Sequence, residues 1–111
     1  NRTMRRVAAV IESLPSRLSG SVTVPELAGE AGIGTTHFYR LFQDLTGLTP
    51  KAYIEHLRIE EASRRLMQTD ESVMSIAMDL GFATSQHFAT VFRRIKGRTP
   101  SEWRGQAQPG R

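Results

Sequence analysis

Apolar residues along this chain recur mostly three and four positions apart, which is the spacing of one face of a helix. The first such run is Val7, Val10, Ile11 and Leu14, and Pro15 follows where that helix should end. Alternation of apolar and polar residues, the pattern of a half-buried strand, is nearly absent. The pattern therefore predicts an all-α fold.

Two stretches of the chain carry the same series of residues about 50 positions apart. The pairs are His37 and His87, Phe38 and Phe88, Phe42 and Phe92, Gly47 and Gly97, Thr49 and Thr99, and Pro50 and Pro100. Further upstream the separation is one residue shorter, so one residue has been added between Gly81 and Phe88. A repeat of this length indicates one supersecondary unit used twice.

Glycines and hydroxyl residues mark the ends of the helices in each copy. A short helix ends at Gly32 or Gly81, because glycine tolerates a left-handed backbone. The next helix starts at hydroxyl residues that can cap it, Thr35-Thr36 in one copy and Thr84-Ser85 in the other. The apolar stripes of these second helices are Phe38, Leu41, Phe42 and Leu45, and Phe88, Val91, Phe92 and Ile95. Thr-Pro then begins another helix in both copies.

No helix breaker occurs from Lys51 to Thr69, which predicts one helix of about 20 residues, roughly 30 Å long. Tyr53, Leu57 and Leu66 recur along it at helical spacing and are expected to hold it in place. This linker is the helix that begins at Thr49-Pro50, and the predicted total is seven helices. The predicted division is residues 1–48, the linker at 49–69, residues 70–107, and a frayed tail at 108–111.

The repeated unit has the spacing that a helix-turn-helix needs. The first helix requires a small residue where the second crosses it, and Ala28 and Ala77 stand at that position. The turn requires a residue that accepts a left-handed backbone, and a glycine stands four residues later in both copies. Phe38 and Phe88 then lock the crossing. In this motif the second helix enters the major groove of DNA.

Composition narrows the function only slightly. There are 15 Lys and Arg residues against 11 Asp and Glu, a formal net charge of +4, which favours a polyanionic partner. The absence of cysteine excludes disulfides, thiolate metal sites and cysteine nucleophiles. No apolar run approaches the ~18 residues of a membrane span, so a cytoplasmic location without membrane association is expected.

Three stretches give the chain a specific resemblance: HFYRLFQDLTGLTP, YIEHLRIEEASRRL and SIAMDLGFATSQHFATVFRRIKGRTPSEWR. From about Val7 to Arg104 the chain resembles the C-terminal DNA-binding domain of the AraC/XylS family of bacterial transcription regulators. The resemblance implies seven helices in two homeodomain-like helix-turn-helix subdomains joined by a linker helix. It also implies double-stranded DNA as the partner, activation through RNA polymerase, and a separate sensing and dimerisation domain elsewhere in the full-length protein.

By the same resemblance, the base-reading residues are Thr36, Tyr39, Arg40, Ser85, Gln86 and Thr90. Arg40 has the chemistry to pair bidentately with guanine, and Gln86 with adenine. The family often has a longer polar or basic residue where Thr90 stands, so weaker base reading is expected there. Other residues expected on the outward faces of the two recognition helices are His37, Gln43 and Arg93.

Phosphate contacts require positive charge or free N–H groups at helix starts. The candidates are Thr49, Lys51, Arg94, Lys96, Arg98, Thr99 and Arg104. The later half of the chain holds most of these cations and is expected to contribute more of the salt-dependent affinity. A linker of about 30 Å is close to the ~34 Å between successive major-groove faces, which would let both recognition helices read one duplex.

Other interpretations fit the sequence less well. His37, His56 and His87 are not accompanied by a carboxylate or cysteine cluster, so surface or DNA-facing imidazoles are favoured over a metal site. Arg58 and Glu60-Glu61 are favoured as a charge network on a helix rather than as a catalytic group. No nucleophile–base arrangement or phosphate loop is visible, so neither an enzyme nor a cofactor is predicted. A helical protein-interaction module without specific DNA binding is the alternative function.

Overall fold

The computed structural model describes residues 1–106, and the predicted tail at 108–111 lies outside them. Seven α-helices make up this part of the chain, with no strand among the residues it describes. They are α1 (Arg2–Ser13), α2 (Val24–Ala31), α3 (Thr35–Thr46), α4 (Pro50–Gln68), α5 (Val73–Asp79), α6 (Ser85–Lys96) and α7 (Pro100–Gln106). A short 3-10 helix, Leu14–Arg17, comes directly after α1. The predicted all-α fold of seven helices is therefore confirmed.

Contacts between residues group these helices into two compact units. Unit 1 is Asn1–Ile54, and unit 2 begins at Glu55. Helix α4 contributes its first turn to unit 1 and the rest to unit 2. Each unit therefore has a core of its own.

Most helix ends agree with the predicted signals. Ser85, predicted together with Thr84 as a cap, is instead the first residue of α6. Side chains cap α2, α5 and α6: the hydroxyls of Thr23, Ser72 and Thr84 accept hydrogen bonds from backbone N–H groups of the first turn. Helix α3 differs, because its N-cap is Gly34 and no side chain caps it. The hydroxyl cap predicted at Thr35-Thr36 is wrong, since both residues already lie inside the helix.

The core of unit 1 is built around two aromatic rings of α3. Phe38 and Phe42 are fully buried, with ring centroids 5.7 Å apart, and Tyr53 meets Phe42 edge-on at 5.4 Å. Leu45, predicted to face inward, is instead 42% exposed. It lies in the last turn of α3, where it borders a surface groove of about 320 Å³ formed with α1 and Tyr53, so no helix covers it.

The core of unit 2 has the same plan with a longer aromatic series. Ring centroids of neighbouring residues lie 5.1 Å apart for Phe82 and Phe88, 5.7 Å for Phe88 and Phe92, and 5.8 Å for Phe92 and Trp103. Phe88 and Phe92 are fully buried. Tilted and edge-on packing of this kind adds to the burial of the rings themselves. The series joins the turn, α6 and α7 into one packed body.

The buried face of α4 differs from the predicted stripe. Its buried residues are Pro50, Ile54, Ile59, Ala62, Ser63 and Leu66. Tyr53 and Leu57, expected to hold the helix, are only half-buried, whereas Leu66 is buried as expected. Because α4 contributes to two cores, its buried positions do not form one continuous stripe.

The internal repeat extends to the helix that precedes each helix-turn-helix. Helix α1 precedes α2 and α3 as α4 precedes α5 and α6. One constant separation in sequence relates four pairs: Arg6 and Arg58, Val7 and Ile59, Val10 and Ala62, and Leu14 and Leu66. The six apolar members are all buried. Each unit therefore contains a copy of a three-helix element, α1–α3 in one and α4–α6 in the other. Most of the paired residues in the first helix are not identical, so the repeat of identical residues did not include it.

A charge network ties α4 to α5 in unit 2. Arg65 bonds to Glu61 on its own helix and to Asp79 on α5. Glu61 also pairs with Arg64 at 2.7 Å. Hydrogen bonding to Arg64, and then to Arg65, lowers the pKa of Glu61 from 4.5 to about 2.

This network predicts an acid-sensitive component of stability. Because the pKa of Glu61 is lower in the folded protein, its contribution is complete above pH 4.5 and is lost as the pH falls towards 2. When urea unfolding is measured between pH 4.5 and pH 2, the free energy of unfolding should fall less for Glu61→Gln than for the parent chain. The matched control is Glu12→Gln, an exposed glutamate without an ion pair among the described residues. Parallel curves for parent and Glu61→Gln would contradict the assignment.

Candidate nucleic-acid interface

The outward face of α3 is polar and open to solvent. Burial of Phe38 and Phe42 sets the rotation of the helix about its axis, which turns the predicted DNA-facing residues outward. All five are exposed: Thr36, His37, Tyr39, Arg40 and Gln43. Four of them, with Val24 and Thr35, line an open cleft of about 420 Å³. The ring of Tyr39 belongs to this open face, since the residue is 40% exposed.

Helix α6 presents a smaller and less polar face. Gln86, Thr90 and Arg93 are exposed, whereas Ser85 and Ala89 are half-buried. The hydroxyl of Thr90 donates to the carbonyl of Gln86 at 3.1 Å, so its proton is used within the helix. Its methyl group and both lone pairs of the hydroxyl oxygen remain for a partner. The weaker base reading expected at Thr90 stays a prediction.

The turns that lead into α3 and α6 differ by one residue, and the structure locates it. Matching hydrogen bonds close both turns, from Ile33 N to Ala28 O at 3.1 Å and from Phe82 N to Ala77 O at 3.0 Å. After these equivalent residues, the first copy goes directly to its N-cap Gly34, whereas the second inserts Ala83 before Thr84. The added residue therefore lies in the turn, and the two caps differ as a result.

The starts of α4 and α7 differ as sites for phosphate. Thr49 accepts from Ala52 N at 3.1 Å, and no acid lies in the first turn of α4. At α7, Glu102 accepts from Thr99 N at 2.9 Å, while Thr99 accepts from Glu102 N. The backbone hydrogen bond from Thr99 lowers the pKa of Glu102. The N–H of Thr99, predicted to donate to a phosphate, thus already donates to the carboxylate of Glu102.

The predicted phosphate-binding cations fall into three groups. Lys51 and Arg98 are exposed and make no ion pair among residues 1–106. Arg94 is paired with Glu55 at 2.9 Å. Lys96 is paired with Glu60 at 2.6 Å and stacks over Trp103, with its ammonium 5.2 Å from the ring centroid. Its side chain is only 17% exposed, so Lys96 is largely a packing residue.

Arg104 forms the third group, and its geometry conflicts with the predicted phosphate role. Nε donates to the carbonyl of Leu66 at 3.1 Å, and Nη2 donates to that of Thr69 at 3.2 Å. Both carbonyls lie at the end of α4, where cations are favoured by the helix dipole. Arg104 is therefore a capping residue that joins α7 to α4.

Comparison with known proteins identifies the fold. A family model described as a helix-turn-helix domain matches residues 27–106. The transcriptional activator RhaS of Pectobacterium carotovorum is 37% identical over 101 residues, which cover 91% of this chain and 36% of that protein. RhaS of Yersinia pestis is 34% identical over 101 residues, covering 91% and 37% respectively.

Solved structures agree. A regulator from Chromobacterium violaceum with an AraC-type DNA-binding domain has a TM-score of 0.87 at 27% identity, covering 96% of both chains. The chain belongs to the AraC/XylS family. Another member of this structural group, the DNA-binding domain of AdpA, was solved with a target DNA; its TM-score is 0.87 at 30% identity, covering 91% of both chains. The present chain spans about a third of the length of the curated AraC/XylS relatives it matches.

Two further features of this AraC/XylS domain concern metals and membranes. Within residues 1–106, no group of three or more His, Asp or Glu side chains is arranged to hold a metal ion. His37, His56 and His87 are all exposed. None of the helices in the same range combines the length and apolar character needed to cross a bilayer.

Proposed function

We propose that this AraC/XylS domain binds double-stranded DNA sequence-specifically, with α3 and α6 entering successive major grooves of one duplex. The observation that carries the proposal is the pair of recognition helices. Each is 12 residues long and has its inward face fixed by buried phenylalanines. Each leaves a polar face outward, and the residues on the two faces differ. One scaffold would thereby read two different stretches of sequence.

The exposed side chains suit direct readout in the major groove. Arg40 can donate two hydrogen bonds to guanine, and Gln86 can pair bidentately with adenine. Tyr39 and Thr36 add hydroxyl or apolar contacts, including contact with a thymine methyl group. Unit 1 offers the larger exposed polar face, so we infer that it supplies more of the base discrimination.

Phosphate contacts in unit 2 would come from Arg98, Arg93 and Arg94. The first two are exposed and make no ion pair within residues 1–106. Arg94 would have to exchange the carboxylate of Glu55 for a phosphate, which lowers its net contribution. Unit 1 would contribute Lys51 and the N-terminus of α4. The first turn of that helix contains no acidic residue that would compete with a phosphate.

Arg94→Ala is expected to weaken binding to all DNA sequences by a similar factor, because phosphate contacts carry no sequence information. The slope of log K against log salt should fall in magnitude by about 1. Glu55→Gln should have the opposite effect, since Arg94 would no longer need to leave a carboxylate. Fluorescence anisotropy over a salt series measures both.

The control for that experiment is Arg64→Ala, which removes the same charge from a pair on α4. It should leave the salt slope close to that of the parent. A loss confined to one DNA sequence would contradict the phosphate assignment of Arg94.

Selection of bound duplexes from random DNA tests the function itself. The expected result is an enriched motif with two half-elements about one helical turn apart. Recovery of DNA without any enriched motif would overturn sequence-specific binding and favour an interaction module. The selected duplex also provides the cognate site on which single variants are compared.

The remaining parts of the proposal concern the full-length protein. The relatives named RhaS are described as transcriptional activators. We infer that this chain belongs to a cytoplasmic, nucleoid-associated bacterial activator that contacts RNA polymerase and carries a separate sensing and dimerisation domain. Pull-down of RNA polymerase holoenzyme on cognate DNA, with and without the domain, would test the contact with RNA polymerase.

A further inference from the structure

We propose that Arg58 is a positioning residue that sets the orientation of the recognition helix α6, and that Arg6 does the same for α3. The proposal rests on the proposed DNA-reading function of these two helices. Neither side chain belongs to the predicted DNA-binding set. Both lie on the helix that precedes a helix-turn-helix, at equivalent positions of the repeat.

The contact is between a guanidinium group and the glycine of the turn. A methyl group at Gly81 would lie 3.2 Å from Cζ and 3.2 Å from Nη2 of Arg58, and 3.6 Å from Nη1. These similar distances mean that the guanidinium plane lies flat against the glycine. The contact in unit 1 is looser: a methyl group at Gly32 would lie 3.3 Å from Nη1 of Arg6, no other atom of Arg6 would come within 4 Å, and Arg6 is exposed.

The location of these groups is favourable electrostatically. Gly32 and Gly81 stand at the ends of α2 and α5, where helix carbonyls accumulate negative partial charge. A cation held there is stabilised. Burial lowers the pKa of Arg58, although arginine stays charged at every pH at which the protein functions. A guanidinium desolvated in this way is retained only where surrounding groups compensate for the lost water.

The contact also controls the start of the next helix. The next residue after Arg58 is Ile59, which is fully buried in the core of unit 2. Its burial fixes the position of the Arg58 backbone on α4. Gly81 leads into the short turn that ends at Thr84, the N-cap of α6. The guanidinium therefore fixes how closely this turn approaches α4, and with it the direction in which α6 starts.

The glycines of unit 2 provide a matched comparison. Gly81 and Gly97 have nearly the same backbone conformation, with φ of 85° and 79°. A methyl group at Gly97 would meet nothing within 4 Å. Gly81→Ala and Gly97→Ala thus impose similar backbone strain, and only the first displaces Arg58.

The experiment measures discrimination rather than affinity alone. Three duplexes are needed: the selected site, the same site with the half-element read by α3 scrambled, and the same site with the half-element read by α6 scrambled. We expect Arg58→Lys and Gly81→Ala to reduce discrimination at the α6 half-element about tenfold, on the scale of one lost base-pair preference. Discrimination at the α3 half-element should not change. Arg6→Lys should reduce discrimination at the α3 half-element only, and by a smaller factor because Arg6 makes the looser contact. Gly97→Ala should retain discrimination at both half-elements.

Lysine keeps the positive charge, so the loss cannot come from a missing phosphate contact. Unfolding of the whole domain would raise Kd on all three duplexes by the same factor and leave the ratios unchanged. Unfolding confined to unit 2 would change the ratios, so the variants are compared at a temperature at which their far-UV circular dichroism equals that of the parent. Parental ratios in both Arg58→Lys and Gly81→Ala would overturn the positioning role. If the parent chain itself fails to discriminate, the proposed function fails instead, and the two results are therefore distinguishable.

Discussion

Replacing Arg40 with alanine is expected to weaken binding to the cognate site by about 1–3 kcal/mol, while binding to scrambled DNA changes much less. The physical reason is that arginine donates two hydrogen bonds to one guanine, and alanine leaves both acceptors unmatched. Arg40 is exposed on the outward face of α3 and borders the cleft beside Tyr39 and Gln43. Anisotropy titrations with the two duplexes measure the difference.

Arg5→Ala is the matched control for this experiment. It removes the same charge from unit 1, but on α1, where no DNA contact is predicted. It should weaken binding to cognate and to scrambled DNA equally, and only slightly. If Arg40→Ala behaved like Arg5→Ala, the reading face assigned to α3 would be wrong.

Phe92→Ala is expected to have the largest effect on stability, about 3–5 kcal/mol. The ring is fully buried between those of Phe88 and Trp103, so its removal leaves a cavity that links α6 to α7. Small domains are stable by only about 5–15 kcal/mol in total, so much of the folded population of unit 2 should be lost on mild heating. Urea unfolding followed by far-UV circular dichroism measures the change.

The control for Phe92→Ala is Met74→Ala. The side chain of Met74 is 62% exposed, so its truncation should change stability by less than about 0.5 kcal/mol. A loss from Phe92→Ala as small as that of the control would mean that the aromatic series does not hold unit 2 together. Binding to the α6 half-element should weaken in parallel with the loss of folded protein.

The helices could be predicted because residues close to each end determine where the helix starts and stops. Glycine at a left-handed position and a threonine or serine before the first turn act over a few residues, without reference to the rest of the fold. Within residues 1–106, four glycines adopt positive φ: Gly32, Gly47, Gly81 and Gly97. Burial of Phe38 and Phe88 could be inferred from helical spacing alone, and it determines which residues of each recognition helix face outward.

The features that could not be predicted depend on contacts between distant parts of the chain. Leu45 has the spacing of an inward residue, but exposure depends on whether another helix covers the end of α3. The flat contact of Arg58 with Gly81, and the bonds of Arg104 to α4, need residues far apart in sequence to meet. Long cations on a basic chain resemble DNA contacts in sequence, whether or not their charge is already used internally.

The extra residue of the second copy lies at Ala83, outside both recognition helices. Each added residue inside a helix would rotate every later side chain by about 100° around the axis. In the turn, the addition changes the length of the chain and leaves that angular order intact. Positions in α3 and α6 therefore correspond one to one, and we expect that a base preference measured for one helix will transfer to the other when side chains are exchanged at matching positions.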